Sequence, residues 1–202
     1  YPAVTVPLSR WDWLPTVGGR SVTPIINQLA NTVKQIKADF QVAQVNLIGH
    51  SAGGWLGRIY LGDRPYDNHP RDRDFSPWQG HKSVARLITL GTPHTSQERW
   101  TRRNLDFVNQ TYPGAFEADV DYICIAGKAV YGKRNFKHWF TYNSYQLTCG
   151  QGNCWGDGIT PIESAHLDGA KNIILPSVYH SPQPGVKWYG TPSVIEQWAQ
   201  FL

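Results

Sequence analysis

Ser51 stands in Gly49-His50-Ser51-Ala52-Gly53, a G-x-S-x-G pattern. A serine hydroxyl is a weak nucleophile until a base takes its proton, and an imidazole titrates in the right range to do so. A carboxylate on the other imidazole nitrogen fixes the tautomer and stabilises the imidazolium. The chain offers both partners downstream of the serine, with Asp157 in Gly156-Asp157-Gly158 and His180 in Tyr179-His180-Ser181. Together they could carry out acyl transfer, with the amide of Ala52 aimed at the developing oxyanion.

Such residues need elements that bring them together. The β-branched, apolar run Val45-Asn46-Leu47-Ile48 leads into the serine, and the helix-like run from Trp55 to Leu61 leads out. A serine at a sharp strand-to-helix turn sits on strained backbone, so small residues are expected around it. A Cβ at Gly49 or Gly53 is expected to clash there.

The remaining pattern alternates strand and helix. Residues 2–6 read as a short strand. Residues 24–40 place Ile25, Ile26, Leu29, Val33, Ile36 and Phe40 at helical spacing, with Thr23 as candidate N-cap and Pro24 in the first turn. Residues 45–48, 85–90, 120–126 and 172–175 read as strands, while 99–108 and 192–202 read as helices. Apolar strands separated by helices predict a mostly parallel sheet covered on both faces. Ligands in such sheets bind beyond the carboxyl ends of the strands, where Ser51, Asp157 and His180 each follow a different strand.

Other groups compete for the two partner roles. Of seven histidines, His94 and His166 are the alternatives to His180 as base. His94 follows a strand end but precedes any plausible acid. His50 leaves the turn in another direction and is expected to pack behind the site. Asp168, Glu163 and Asp121 are the alternatives to Asp157 as acid. Asp168 lies in Leu167-Asp168-Gly169, which reads as a turn.

Composition narrows the field further. The chain has 202 residues, 41% hydrophobic and 17% charged, which suits one domain with a buried core. Its net charge of +4 is spread among pairs such as Arg102-Arg103 and Lys133-Arg134. A solvated surface is therefore expected rather than a nucleic-acid footprint. No apolar run approaches the ~20 residues of a transmembrane helix. The N-terminal residues lack a signal-peptide pattern, which favours the cytoplasm over secretion and leaves the compartment otherwise open. Three cysteines make no disulfide framework. Cys124 lies in an apolar run and should be buried. Cys149 and Cys154 bracket a short loop before Asp157, as two thiols or as a local disulfide. No metal constellation and no cofactor motif appears.

Three strings, Ile48-Gly49-His50-Ser51-Ala52-Gly53-Gly54, Leu90-Gly91-Thr92-Pro93-His94 and Gly156-Asp157-Gly158-Ile159-Thr160-Pro161, together with Tyr179-His180-Ser181, resemble the α/β-hydrolase superfamily in its lipase/esterase-like branch. The segment Trp188-Tyr189-Gly190-Thr191-Pro192-Ser193-Val194 looks like lipase-like hydrolases of cyanobacteria and plant plastids. The resemblance implies an α/β-hydrolase fold over residues 1–202 and hydrolysis of carboxylic, including lipid, esters. It also implies Ser51 as nucleophile, His180 as base, Asp157 as its orienting acid and Ala52 as oxyanion donor.

One departure matters. The superfamily takes its second oxyanion donor from a loop after an earlier strand, and no His-Gly or glycine-rich loop follows one here. The N-terminal strands are thus expected to be missing, and an upstream segment of the same protein is expected to complete the fold. The alternative is that residues 11–19, with Gly18-Gly19, supply a substitute. A binding or scaffold module with impaired catalysis, and an amidase, thioesterase or acyltransferase with the same residues, are the competing functions.

On the substrate side, Trp11 and Trp13 follow the first expected strand, and His94 follows another. All three are expected near the substrate. Ordinary packing is the competing reading for each tryptophan. Residues 63–82 and 128–154 are long connections, and either could be a lid.

Overall fold

The computed structural model describes residues 2–9, 21–66 and 76–202. Among them, four strands form one parallel sheet: β1 (Val45–His50), β2 (Val84–Leu90), β3 (Asp121–Lys128) and β6 (Lys171–Pro176), in the order β1-β2-β3-β6. Consecutive pairing in one direction requires a crossover between each pair, and helices supply them. Helix α1 (Thr23–Phe40) precedes β1, α2 (Ala52–Leu61) joins β1 to β2, and α3 (Arg99–Thr111) joins β2 to β3. Between β3 and β6 lie β4 (Val130–Tyr131), α4 (Trp139–Cys149), β5 (Trp155–Gly156) and the one-turn α5 (Ile162–Ala165). The chain ends with β7 (Val178–Tyr179), β8 (Lys187–Trp188) and α6 (Pro192–Ala199).

Alternation of side chains along the strands divides the core in two. Leu87 of β2 and Tyr122 and Cys124 of β3 face one way, where Ile26 and Val33 of α1, Leu56 and Ile59 of α2, and Leu105 and Val108 of α3 cover them. Ile88, Leu90, Ile123 and Ile125 face the other way, where Val194 and Trp198 of α6 cover them. Helices thus lie on both faces. Ile48 of β1 is exposed at the edge of the sheet formed by the described residues.

Several expectations are corrected. Residues 2–6 form no strand and are mostly exposed. Pro2 and Pro7 have no N–H to give a ladder, and no neighbouring strand is present there among the described residues. Val22 rather than Thr23 occupies the N-cap of α1, and the Thr23 amide is received by Ser21 Oγ at 3.1 Å, with Pro24 in the first turn. Helix α3 runs three residues further than expected, to Thr111, and α6 stops at Ala199. The connection 128–154 is largely ordered as β4, a 3-10 turn (Phe136–His138) and α4. As expected, Cys124 is fully buried, and of the two readings for Cys149 and Cys154 the free thiols are found, each directed at the carbonyl of Gln151.

Candidate active site

The serine turn comes directly from the join of β1 and α2. Ser51 has φ 54° and ψ −125°, a conformation costly for a residue with a Cβ. The turn is pinned on both sides. The Ser51 amide donates to Leu90 O at the end of β2 (3.0 Å), and the Thr92 hydroxyl donates to Ser51 O (2.7 Å). A Cβ on Gly49 would lie 2.5 Å from the backbone of Gly53 and Gly54, so the first glycine is required by close approach. Gly53 differs from expectation, because a Cβ there would meet nothing within 4 Å. The tight position is Gly54, whose Cβ would fall 2.2 Å from the buried Thr92 hydroxyl.

His180 follows β7 and reaches back to the serine. Its Nε2 lies 3.1 Å from Ser51 Oγ, and its Nδ1 lies 2.8 Å from Asp157 Oδ2. A carboxylate can only accept, so Nδ1 carries the proton and Nε2 is free to receive the serine's. The loop is held at both ends of the same residue. The His180 amide donates to Asp157 O (3.0 Å), and its carbonyl accepts from His50 Nε2 (2.9 Å). The His50 ring stands 4.8 Å from that of His180. Partial burial, and next the neighbouring His180, lower the His50 pKa, so no second positive charge is favoured beside the imidazole.

Asp157 is almost wholly buried, and four donors satisfy it. Oδ1 accepts from the amides of Ile159 (3.0 Å) and Thr160 (2.7 Å), while Oδ2 accepts from His180 and from the Tyr189 hydroxyl (2.9 Å). The Tyr189 hydroxyl also receives the Gly127 amide at 2.7 Å. Burial, and next the adjacent Asp157, push the Tyr189 pKa well above its ordinary value, which keeps the phenol protonated as a donor. Gly91, just past β2, has φ +57°, and a Cβ there would lie 2.6 Å from Asp157 Oδ2. The carboxylate therefore packs directly on the end of β2.

Ser51, Asp157 and His180 are thus brought together, with Ala52 as the first residue of α2 after the serine. His94 is not brought to them. It was expected beside the substrate, but it is 2% exposed, with Nε2 3.4 Å from Thr89 Oγ1 and 3.6 Å from Cys124 Sγ. Burial, and next the buried Arg58, push its pKa down to about 3. The ring is part of the core between α2, β2 and β3. Trp11, Trp13, Gly18 and Gly19 lie outside the described residues. Sequence reasoning gave no role to Tyr189 or Thr92. Both occur in the strings that carried the resemblance, but neither has a spacing that identifies its partner.

Among the described residues no group of His, Cys, Asp and Glu could hold a metal ion, and no helix is long and apolar enough to cross a membrane.

No family model and no curated protein matches the sequence. Solved structures do match. The mature form of the Bacillus licheniformis lipase BlEst2 superposes with a TM-score of 0.52 at 22% identity, covering 77% of this chain and 65% of that one. Its propeptide form superposes with a TM-score of 0.51 at 21% identity, covering 84% of this chain and 38% of that one. The chain thus spans less than two thirds of the length of these lipase chains. The parallel β1-β2-β3-β6 sheet, clothed by helices on both faces, with a strained serine between β1 and α2, has the α/β-hydrolase fold seen in this lipase-like likeness.

Proposed function

We propose that the chain is a serine hydrolase of carboxylic esters that works through an acyl-enzyme. The observation that carries this reading is the continuous relay from Ser51 Oγ through His180 (3.1 Å) to Asp157 (2.8 Å). Ser51 Oγ attacks the ester carbonyl as His180 Nε2 takes its proton. Asp157 holds the Nδ1 proton and stabilises the imidazolium. His180 then protonates the departing alkoxide, leaving an acyl group on Ser51. Water, deprotonated by the same nitrogen, attacks the acyl-serine, and the carboxylic acid departs as Ser51 regains its proton. The Ala52 amide donates to the oxyanion in both halves.

Small-molecule esters and lipid esters are both within this chemistry, and likeness to a lipase supports including the second. The second oxyanion donor is proposed to come from an upstream segment of the same protein. Loss of one such donor costs ~10²–10³ in rate.

A fluorophosphonate probe tests the reading. Ser51 should be labelled, and the label should vanish in Ser51→Ala and fall sharply in His180→Ala. Equal labelling of wild type and His180→Ala would overturn the proposal. A series of p-nitrophenyl esters then separates short-chain from long-chain preference, and comparing residues 1–202 with a longer chain tests the oxyanion donor. Full activity from 1–202 would show that the oxyanion hole is complete within these residues.

A further inference from the structure

Between Asp121 and Asp157 the chain carries no carboxylate side chain, yet it holds Lys128, Lys133, Arg134 and Lys137. The same stretch exposes its aromatic residues. Phe136 is 101% exposed, and Trp139 and Phe140 are each 65% exposed. They lie within five consecutive positions, across the 3-10 turn Phe136–His138 and the first turn of α4. All three rings thus project from one short stretch of backbone, at the junction of the 3-10 turn and α4. Lys133 and Arg134, immediately before these rings, are exposed and make no ion pair among the described residues.

Isolated exposed apolar side chains are ordinary, but a cluster of large rings rimmed by one sign of charge marks a contact surface. The inner side of α4 is firmly seated. Tyr145 is fully buried, its hydroxyl receiving the Gly158 amide (2.9 Å) and donating to Val130 O (3.1 Å), and Ser144 Oγ donates to Ile159 O (2.7 Å). The outer tip is therefore held out on a rigid base rather than left without a place to pack.

We propose that this tip is a docking surface for an anionic lipid bilayer. Phe and Trp side chains enter the boundary between headgroups and acyl chains, while Lys133 and Arg134 meet the negative headgroups. Charge complementarity selects this occupant, because the stretch has cations only. The surface is independent of the reading of Ser51.

Co-sedimentation of the full chain with vesicles tests it. One vesicle set is phosphatidylcholine alone, and the other is an equal mixture of phosphatidylcholine and phosphatidylglycerol. The chain should bind the mixed vesicles at least ~10-fold more strongly, and added salt should weaken that binding. The variants F136S/W139S/F140S and K133E/R134E, each first checked for an unchanged circular dichroism spectrum, should each lose at least ~10-fold. Ser51→Ala should bind like the wild type, which separates failure of this surface from failure of the proposed catalysis. Equal binding to both vesicle sets, or full binding by both variants, would overturn the proposal. So would a dimer in solution that the aromatic variant dissociates, since the cluster would then cover a second copy of the chain.

Discussion

Tyr189 donates its phenolic hydrogen to Asp157 Oδ2 at 2.9 Å, the same oxygen that receives His180 Nδ1 at 2.8 Å. Two donors thus share one carboxylate oxygen, and each draws on its negative charge. Removing the phenol in Tyr189→Phe leaves His180 as the one side-chain donor to that oxygen and takes away part of what holds the buried carboxylate against the imidazole, so kcat/KM for an ester should fall by about 3–10-fold. The Gly127 amide also loses its acceptor, for a stability loss of about 1–3 kcal/mol. Ester kinetics and urea midpoints would check both, and an unchanged kcat/KM in a destabilised variant would show that Tyr189 supports the fold alone.

Strain at the serine gives a second expectation. Ser51 holds φ 54° and ψ −125°, which glycine adopts without a steric penalty. Ser51→Gly should therefore raise stability by about 1 kcal/mol while abolishing ester hydrolysis. Chemical denaturation compared with an ester assay decides it. A less stable glycine variant would mean that the contacts of the hydroxyl outweigh the backbone strain.

The glycines of the turn should respond unequally. Gly49→Ala forces a Cβ to 2.5 Å from backbone atoms, and Gly54→Ala forces one into the Thr92 hydroxyl that holds Ser51 O. Both should be strongly destabilised, by ~3 kcal/mol or more, through overpacking. Gly53→Ala meets open space and gains helix propensity worth up to about 1 kcal/mol. Thermal melts of the three variants give the ranking, and a Gly53→Ala variant as unstable as Gly49→Ala would sink the explanation.

Local signals carried much of the fold. Residues 45–48 and 85–90 read as strands because they are short apolar runs bounded by turns, and their ends locate Ser51 and Gly91. Helix α1 read from its spacing of Ile25, Ile26, Leu29 and Val33. Residues 2–6 misled because β-branched valines between prolines look like a strand, whereas a strand also needs a partner. His94 misled because position after a strand does not say whether a ring points to solvent or into the core. The Tyr189 contact was not legible, since it spans 32 positions and depends on α6 packing Trp198 Nε1 against Tyr189 O.

The buried His94 makes a prediction about pH. Its pKa is about 3 in the fold, against an ordinary value of 6.5. Above pH 6.5 both folded and unfolded chains keep it neutral, and stability is unaffected. As the pH falls from 6.5 towards 3, the unfolded chain binds a proton that the folded chain refuses. Stability should then drop with a slope approaching 1.4 kcal/mol per pH unit for this one group, at about one proton per molecule. His50 and His166, whose pKa values are also lowered, add in the same direction. Urea midpoints from pH 8 to 4.5 should therefore decline before the carboxylates titrate. His94→Asn loses packing and should be less stable at pH 8, yet its decline should be shallower by about one proton equivalent. Parallel curves for the two proteins would mean that His94 takes up its proton inside the fold, against the burial among Thr89, Cys124 and Arg58 that holds it neutral.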